Sequence, residues 1–233
     1  FLDGLEDAYE EGRAMGTFAQ DTANEYQLTR EQMDEYSIES LRRANAAIEG
    51  GAFDDEVVPV TISTRRGDTT IERDEAPGKG NPDKIPQLRP AFAKDGTITA
   101  ATSSSISDGA AAVVLTRASV AEGKGQKPVA RIVATAAHAH APEKFTTAPI
   151  GAIEQVLEKA GWSADEVELW EVNEAFACVA MFAMRDIGIP HDKINVNGGG
   201  TALGHPIGAS GTRIIVTLLN ALKQQGKTKG VAS

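Results

Sequence analysis

The residue best placed for chemistry is a histidine inside the most glycine-rich stretch of the chain. Residues 197–211 read Asn-Gly-Gly-Gly-Thr-Ala-Leu-Gly-His-Pro-Ile-Gly-Ala-Ser-Gly, so His205 directly precedes Pro206, a residue suited to the first turn of a helix. A helix N-terminus lowers the pKa of an imidazole beside it, so we expect His205 to be neutral. A neutral imidazole donates a hydrogen bond from one nitrogen, and such a donor stabilises an oxygen on which negative charge develops.

The same stretch does not match the common phosphate-binding loops. Leu203 stands at the third glycine position of a dinucleotide-binding fingerprint counted from Gly198, and no lysine follows Gly204 as it does in a P-loop. A single histidine in a glycine-rich loop is more often structural than functional. A chemical role for His205 therefore needs a second group nearby.

A second polar pair occupies the equivalent place one strand earlier. Asn173 and Glu174 lie where a predicted strand, 168–172, gives way to a predicted helix, 175–187. Ligands of open α/β sheets bind at the carboxyl ends of the strands, so the two turns are expected to face one pocket. Asn173 is able to hold a water molecule or to hydrogen-bond a carbonyl. For Glu174 the structural alternative is a helix cap.

The elements that position these turns alternate between strand and helix. After a linker at 123–128, the pattern predicts strand 129–137, helix 148–160, strand 168–172, helix 175–187, strand 193–196, helix 207–225 and the start of a strand at 230. Such alternation predicts a layered α/β domain with a largely parallel sheet.

The first half of the chain is predicted to be more irregular. Its expected elements are helices over 1–51 with capping boxes at Thr17 with Gln20 and at Thr29 with Gln32, a hairpin over 58–71, a loop over 74–97 with a positive bias from Lys79, Lys84 and Arg89, a strand at 110–115 and a helix at 118–122. This positive loop is the part of the chain best suited to touch an anionic ligand, although an ordinary solvated loop has the same composition.

Composition excludes several classes of protein. The 23 Lys and Arg against 33 Asp and Glu give a net charge of −10, which disfavours binding to nucleic acid. No stretch is apolar for long enough to span a membrane, so we expect a soluble protein. The single cysteine, Cys178, excludes an internal disulfide and is expected to be a buried thiol in a reducing compartment. His138 and His140 lack further ligands apart from Glu143, so we expect no metal site.

The motifs together resemble those of the thiolase family. The resemblance rests on Asn173-Glu174-Ala175-Phe176 followed by the segment Gly204 to Gly211, with the sequences at 14–16, 88–92, 104–109 and 195–199 in the family's order. It implies an α/β thiolase fold, built from βαβαβαββ-type halves in layers, with a helical and irregular loop region. On this basis residues 1–125 are the rest of an N-terminal thiolase domain, including the loop region at about 1–105, and residues 126–233 are an incomplete C-terminal domain.

The resemblance also implies an activity. Thiolases of the acetyl-CoA C-acetyltransferase type condense two acetyl-CoA molecules to acetoacetyl-CoA and CoA, or catalyse the reverse thiolysis, through an acyl group held on a cysteine. It implies coenzyme A as a substrate without a permanently bound cofactor, a homodimer or homotetramer, and a cytoplasmic location with mitochondria or peroxisomes as alternatives. The alternative functions are a 3-ketoacyl-CoA thiolase for longer chains and a non-catalytic acyl-CoA- or lipid-binding protein.

The site residues follow residue by residue from the resemblance. His205 and a water held by Asn173 are implied to form the oxyanion hole for the thioester carbonyl. Phe145 matches a position that lines the acyl pocket, where a bulky side chain favours a short acyl group. The residues implied to contact the CoA molecule are Met15, Ala91, Phe92, Ser104, Ala175 and Phe176.

The chain departs from the family pattern at the sulfur positions. The family's nucleophilic cysteine is expected upstream of residue 1, and its second cysteine is expected two residues beyond Ser233. Cys178 matches neither of them, and Ala14 stands where some members have a histidine. We therefore expect a fragment that shapes the CoA tunnel and the oxyanion hole but does not form the acyl-enzyme by itself.

Overall fold

A computed structural model describes residues 4–233, and its regular elements lie mainly between residues 15 and 79 and in the last 90 residues. Its helices and strands, in chain order, are α1 Met15–Glu25, α2 Arg30–Glu49, β1 Val60–Thr64, β2 Gly67–Ile71, α3 Glu75–Lys79, α4 Ala118–Gly123, α5 Ala148–Ala160, β3 Leu169–Glu171, α6 Ala177–Ile187, α7 Gly200–Leu203, α8 Ser210–Gln225 and β4 Gly230–Ala232. Short 3-10 turns cover Pro82–Gln87, Pro142–Thr147, Ala164–Glu166 and His191–Lys193.

Helix α2 is the clearest agreement between sequence and structure. The capping box is present, because the Thr29 hydroxyl accepts from the backbone N–H of Gln32 while the Gln32 side chain accepts from that of Thr29. The predicted apolar and small face from Met33 to Ala44 is buried. This face packs the helix against the glycine-rich turn and against α6.

The core that supports the site is formed around α6 and β3. Helix α6 is apolar on nearly all sides, with Cys178 and Phe182 fully buried, and it packs against α5. Strand β3 pairs in parallel with β4, and Trp170 forms a parallel bridge with Ile194. The predicted strand at 193–196 is thus reduced to the single bridge of Ile194 beside β3.

Two predicted strands are wrong in the structure. Residues 110–115 and 129–137 form no strand, and Val114 is 96% exposed and Val129 84% exposed. A strand requires a hydrogen-bonding neighbour, and none of the extended segments within residues 4–233 pairs with either stretch. A β-branched composition predicts a strand, but it does not show whether another segment is present to pair with it.

The predicted capping box at Thr17 is also wrong. Helix α1 begins two residues earlier, so Thr17 lies within its first turn and donates to the carbonyl of Ala14. The side-chain oxygen of Gln20 instead accepts from the backbone N–H groups of Thr97 and Ile98, which are distant in sequence.

The hairpin was predicted correctly, since β1 and β2 pair antiparallel around a turn at residues 65–66. None of the helices within residues 4–233 is both long and apolar enough to cross a membrane.

Candidate active site

The glycine-rich turn holds His205 through its backbone. Gly204 has a φ of +93°, a conformation that favours glycine, and it turns the chain out of α7. The backbone N–H of His205 then donates to the carbonyl of Ser105 at 3.0 Å, and His205 forms a parallel bridge with Ile106. Helix α8 begins at Ser210, three residues after the predicted start at 207, so Pro206 lies in the turn before the helix and not in its first turn.

Asn173 and His205 lie in one site. The Nδ2 atom of Asn173 is 3.4 Å from Nε2 of His205, and both side chains are half-buried. Asn173 is held at the end of β3, where its backbone N–H donates to the carbonyl of Ser233 at 2.8 Å. The two turns therefore converge, although the segment before His205 joins the sheet only through the bridge of Ile194, and each side chain keeps part of its surface exposed.

The environment of His205 favours the neutral imidazole. Burial lowers the pKa of His205, and the positive charge of Arg213 on α8 lowers it further. Its Nδ1 atom lies 2.6 Å from the hydroxyl of Ser210. A neutral imidazole with one nitrogen occupied by a hydroxyl presents the other nitrogen to Asn173 and to any ligand beside it.

Glu174 does not cap α6, the helix that follows it in the sequence, although a cap there was its structural alternative. Helix α6 begins only after Phe176, and the fully buried Glu174 carboxylate accepts five hydrogen bonds from other parts of the chain. The donors are Tyr36 Oη at 2.8 Å, Ser40 Oγ at 2.9 Å, Asn195 Nδ2 at 2.7 Å, and Thr201 through its backbone N at 3.1 Å and its Oγ1 at 2.7 Å. Glu174 therefore ties the turn at 173–176 to α2 and to the glycine-rich turn.

Tyr36 keeps its proton for this network. Burial, followed by the neighbouring Glu174 carboxylate, raises the pKa of Tyr36 well above its ordinary value, so the hydroxyl remains a donor. Ser40 extends the network, because its hydroxyl donates to Glu174 and accepts from the backbone N–H of Gly199. A buried carboxylate needs such full pairing to be stable in the interior.

The apolar residues that the resemblance singles out form a row beside this pair. Phe176 lies edge-on to Phe92, with ring centroids 6.0 Å apart, and to Phe145, with centroids 6.4 Å apart. Ser104 donates to the carbonyl of Ala175 through its backbone N–H at 3.0 Å and its hydroxyl at 2.9 Å.

Two further residues complete the row. Met15 begins α1, and its neighbour Gly16 lies so close under the Phe92 ring that a side chain there would overlap it. Ala91 is exposed and lies next to Phe92, with its backbone N–H donating to the carbonyl of Ile98 at 2.8 Å. The contacts thus join the rings of Phe92, Phe145 and Phe176 and join Ser104 to Ala175. Met15 is placed near them only through its neighbour Gly16.

The other candidates behave as ordinary structural groups. Cys178 is fully buried in α6, where burial raises the pKa of its thiol to about 12, so it is unsuited to nucleophilic attack. His138 and His140 have ring centroids 5.2 Å apart and contact Gln155 and the carbonyl of Lys144. In the part of the chain that the structure describes, no group of three or more His, Cys, Asp or Glu side chains is arranged to hold a metal ion.

Sequence reasoning missed Ser210 and the true role of Glu174. Ser210 stands five residues after His205, and only the compact turn between them brings the hydroxyl to the ring. Its only signal is its place in the motif after His205. The five hydrogen bonds of Glu174 come from four residues, two on α2, one in α7 and one in the loop before the glycine-rich turn, so no local spacing could indicate them.

The fold and site define a class of protein: an α/β protein in which Asn173, after β3, and His205, in the glycine-rich turn, bring two side-chain nitrogens together. Comparison with protein families identifies it further. Residues 1–119 match the model of the thiolase N-terminal domain, and residues 126–233 match that of the thiolase C-terminal domain. The chain belongs to the thiolase family.

Curated relatives carry a consistent name. The chain is 50% identical to an acetyl-CoA acetyltransferase of Yarrowia lipolytica over 95% of its own length and 56% of the relative's. It is 46% identical to an acetyl-CoA acetyltransferase of Rhizobium meliloti, over 99% of the chain and 59% of that protein. A cytosolic acetyl-CoA acetyltransferase of mouse is 44% identical, over 99% of the chain and 59% of that protein. The chain therefore spans less than two thirds of these proteins.

Solved structures show the same architecture. The acetyl-CoA acetyltransferase of Bacillus anthracis superposes with a TM-score of 0.95 at 40% identity, over 100% of this chain and 59% of that one. Human mitochondrial 3-ketoacyl-CoA thiolase superposes with a TM-score of 0.90 at 34% identity, over 99% and 58%. The Acat5 thiolase of Ascaris suum, solved in complex with coenzyme A, gives a TM-score of 0.88 at 40% identity, over 100% and 59%. The predicted thiolase fold is confirmed.

Proposed function

We propose that the protein to which this chain belongs is an acyltransferase that condenses two acetyl-CoA molecules to acetoacetyl-CoA and CoA, or runs the reverse thiolysis. The observation that carries the proposal is the 3.4 Å separation of Asn173 Nδ2, at the end of β3, and His205 Nε2, in the glycine-rich turn. The names of the relatives described above support the choice of acetyl-CoA.

The chemistry assigned to the pair is stabilisation of an oxyanion. When a carbon nucleophile attacks a thioester carbonyl, the C=O bond becomes a C–O bond with a negative oxygen before the C–S bond breaks. Two donors that converge on that oxygen stabilise the transition state more than the ground state. We propose that His205 donates directly and Asn173 donates directly or through one water. The acyl-carrying thiol is proposed to lie outside residues 1–233, because Cys178 is buried with a raised pKa.

The apolar row is proposed to bind the CoA molecule. Ser104 would contact the pantetheine arm, and Phe145 would limit the acyl pocket to a short chain. The remaining contacts along the arm or adenine are proposed for Met15, Ala91, Phe92, Ala175 and Phe176. Coenzyme A is then a substrate, and we propose no permanently bound cofactor or metal and no role for nucleic acid or membrane.

The larger organisation is proposed on the same grounds. Residues 1–125 would be the rest of the N-terminal thiolase domain and residues 126–233 an incomplete C-terminal domain, in keeping with the two family matches. From the family resemblance we propose a homodimer or homotetramer. We propose a cytoplasmic location because mouse and rat relatives are named cytosolic, with mitochondria and peroxisomes as the alternatives.

The test uses the full-length protein and its His205→Ala variant. Loss of one oxyanion donor is expected to lower kcat by a factor of roughly one hundred or more. Mass spectrometry after exposure to acetyl-CoA should show one acetyl group on a cysteine outside this chain in the wild type. Absence of both acetylation and turnover would favour a non-catalytic acyl-CoA-binding protein.

Substrate length distinguishes the remaining alternative. The similarity to a human 3-ketoacyl-CoA thiolase makes a longer acyl chain the second candidate. Rates of thiolysis with acetoacetyl-CoA and with a long-chain 3-ketoacyl-CoA are to be compared in the same preparation. The proposal expects the short substrate to be preferred, and the reverse preference would contradict it.

A further inference from the structure

The ring of His205 can carry its proton on either nitrogen, and the two forms make different sites. With the proton on Nδ1, Nε2 is an acceptor and takes a hydrogen bond from Asn173 Nδ2, so the pair satisfies itself. With the proton on Nε2, both nitrogens are donors 3.4 Å apart that cannot bond each other. Only the second form offers two donors to one carbonyl oxygen.

The hydroxyl of Ser210 has one hydrogen and two acceptors within reach. Its Oγ lies 2.6 Å from Nδ1 of His205 and 3.1 Å from the carbonyl oxygen of Pro206. A hydroxyl hydrogen turns towards the acceptor that offers a free lone pair at the better distance.

The Pro206 carbonyl does not need this hydrogen. It already accepts from the backbone N–H of Ala209 at 2.8 Å and from that of Ser210 at 2.9 Å. A carbonyl oxygen has two lone pairs, and these two donors occupy them. The Ser210 hydroxyl is therefore available to Nδ1.

We propose that Ser210 is a positioning residue that donates its hydroxyl hydrogen to Nδ1 of His205 and so fixes the imidazole in the Nε2–H form. The inference deepens the proposed function and rests on it, because the tautomer matters to catalysis only if Nε2 donates to a thioester oxygen. Ser210 is itself buried, at 2% exposure, so it acts through His205 and does not touch substrate.

The surroundings of the ring agree with this assignment. Burial and the charge of Arg213 disfavour the doubly protonated imidazolium, so the neutral ring must choose one tautomer. Ser210 is also the first residue of α8, and this position at the start of the helix puts its hydroxyl beside the ring. A hydrogen bond to the second nitrogen is the usual means by which proteins select a histidine tautomer.

The direct test is magic-angle-spinning NMR of the full-length protein with ¹⁵N-labelled histidine. The His205 signals are assigned by their loss in His205→Ala. The proposal expects an unprotonated Nδ1 and a protonated Nε2 in the wild type at neutral pH. A protonated Nδ1 would overturn it. This readout needs no turnover, so it stands even if the acyltransferase function is wrong.

Kinetics of Ser210→Ala give the second readout. We expect kcat to fall about tenfold, the usual size of one lost hydrogen bond, with KM for acetyl-CoA nearly unchanged. Ser210→Thr keeps the hydroxyl and should recover most of kcat and the wild-type NMR signals. An Ser210→Ala protein with full kcat and an unchanged Nε2–H signal would overturn the proposal.

Thr217→Val is the matched control. Thr217 is a buried hydroxyl on the same helix that donates to Glu56 at 3.0 Å, so the variant removes a comparable hydrogen bond away from the ring. Its His205 signals are expected to stay as in the wild type. An equal loss of kcat in Thr217→Val would assign the Ser210 effect to general weakening of α8 and would contradict the proposal. If Ser210→Ala does not fold, the wild-type spectrum alone decides.

Discussion

At the scale of single residues, the Glu174 carboxylate is the group on which the geometry of the candidate site depends. It is fully buried, and it joins Tyr36 and Ser40 of α2 to Asn195 and Thr201 near the glycine-rich turn. Asn173 is its immediate neighbour in the chain. Any change in the hydrogen bonds of Glu174 should therefore move Nδ2 of Asn173 relative to His205.

We predict that Glu174→Gln weakens both stability and catalysis. The substitution replaces one acceptor oxygen with an N–H₂ group, which cannot accept a hydrogen bond. Because all five contacts of Glu174 are donors, at least one buried donor loses its partner. The free energy of unfolding should fall by about 1–3 kcal/mol, and kcat should fall with it. Chemical denaturation and steady-state kinetics of the full-length protein measure both, and Glu35→Gln on the exposed side of α2 is the control. Wild-type stability in Glu174→Gln would refute the role given to this carboxylate.

At the scale of elements, the glycine-rich turn depends on a close approach to α2. Gly198 has a φ of +80°, and a Cβ atom there would lie 2.7 Å from the carbonyl oxygen of Ser40. Both the backbone conformation and the contact require glycine.

We predict that Gly198→Ala destabilises the protein by several kcal/mol, while Gly208→Ala in the same motif costs little. A Cβ atom at Gly208 would meet nothing within 4 Å, and its φ is not in the left-handed region. The strain and the backbone clash at Gly198 add to each other. Thermal unfolding of the two variants compares them directly, and equal melting temperatures would show that the approach to α2 is not tight.

Strand β3 should give the protein a measurable pH dependence. Burial raises the pKa of Glu171 to about 8, and neither of its oxygens has a hydrogen-bond partner, with Arg213 3.7 Å away. Between the ordinary pKa of a glutamate and about 8, the native state keeps a proton on Glu171 that the unfolded chain has already released. The contribution of Glu171 to the free energy of unfolding therefore falls as the pH rises. Between about pH 6 and about pH 9 the free energy of unfolding should fall by on the order of 2 kcal/mol more in the wild type than in Glu171→Gln. Denaturation curves at the two pH values test this, and parallel behaviour of the two proteins would contradict it.

The sequence predicted those elements whose signals are local. The capping box of α2, the ends of α5 at Gly161 and of α6 at Gly188, and the turn that bears His205 all depend on neighbouring residues. The strands at 110–115 and 129–137 failed because pairing depends on distant segments. The roles of Glu174 and Ser210 were not predicted for a similar reason. Packing and a compact turn bring their partners close, and these partners follow no periodic pattern in the sequence.

At the scale of the whole molecule, the chain corresponds to only part of the length of its relatives. It spans 56–59% of the curated relatives described above, and it carries exposed apolar side chains along 110–115 and 129–133. Exposed patches of this kind mark surfaces that other parts of a protein cover. Catalysis is therefore a property to be measured on the full-length protein, in which the site formed by Asn173 and His205 meets the rest of the fold.

The most direct measurement is a crystal structure of the full-length protein with bound acetyl-CoA. The account predicts that the thioester carbonyl oxygen lies about 3 Å from Nε2 of His205, with Asn173 reaching the same oxygen directly or through one water. A thioester oxygen bound away from both side chains, or residues 173 and 205 opening into separate pockets, would contradict it.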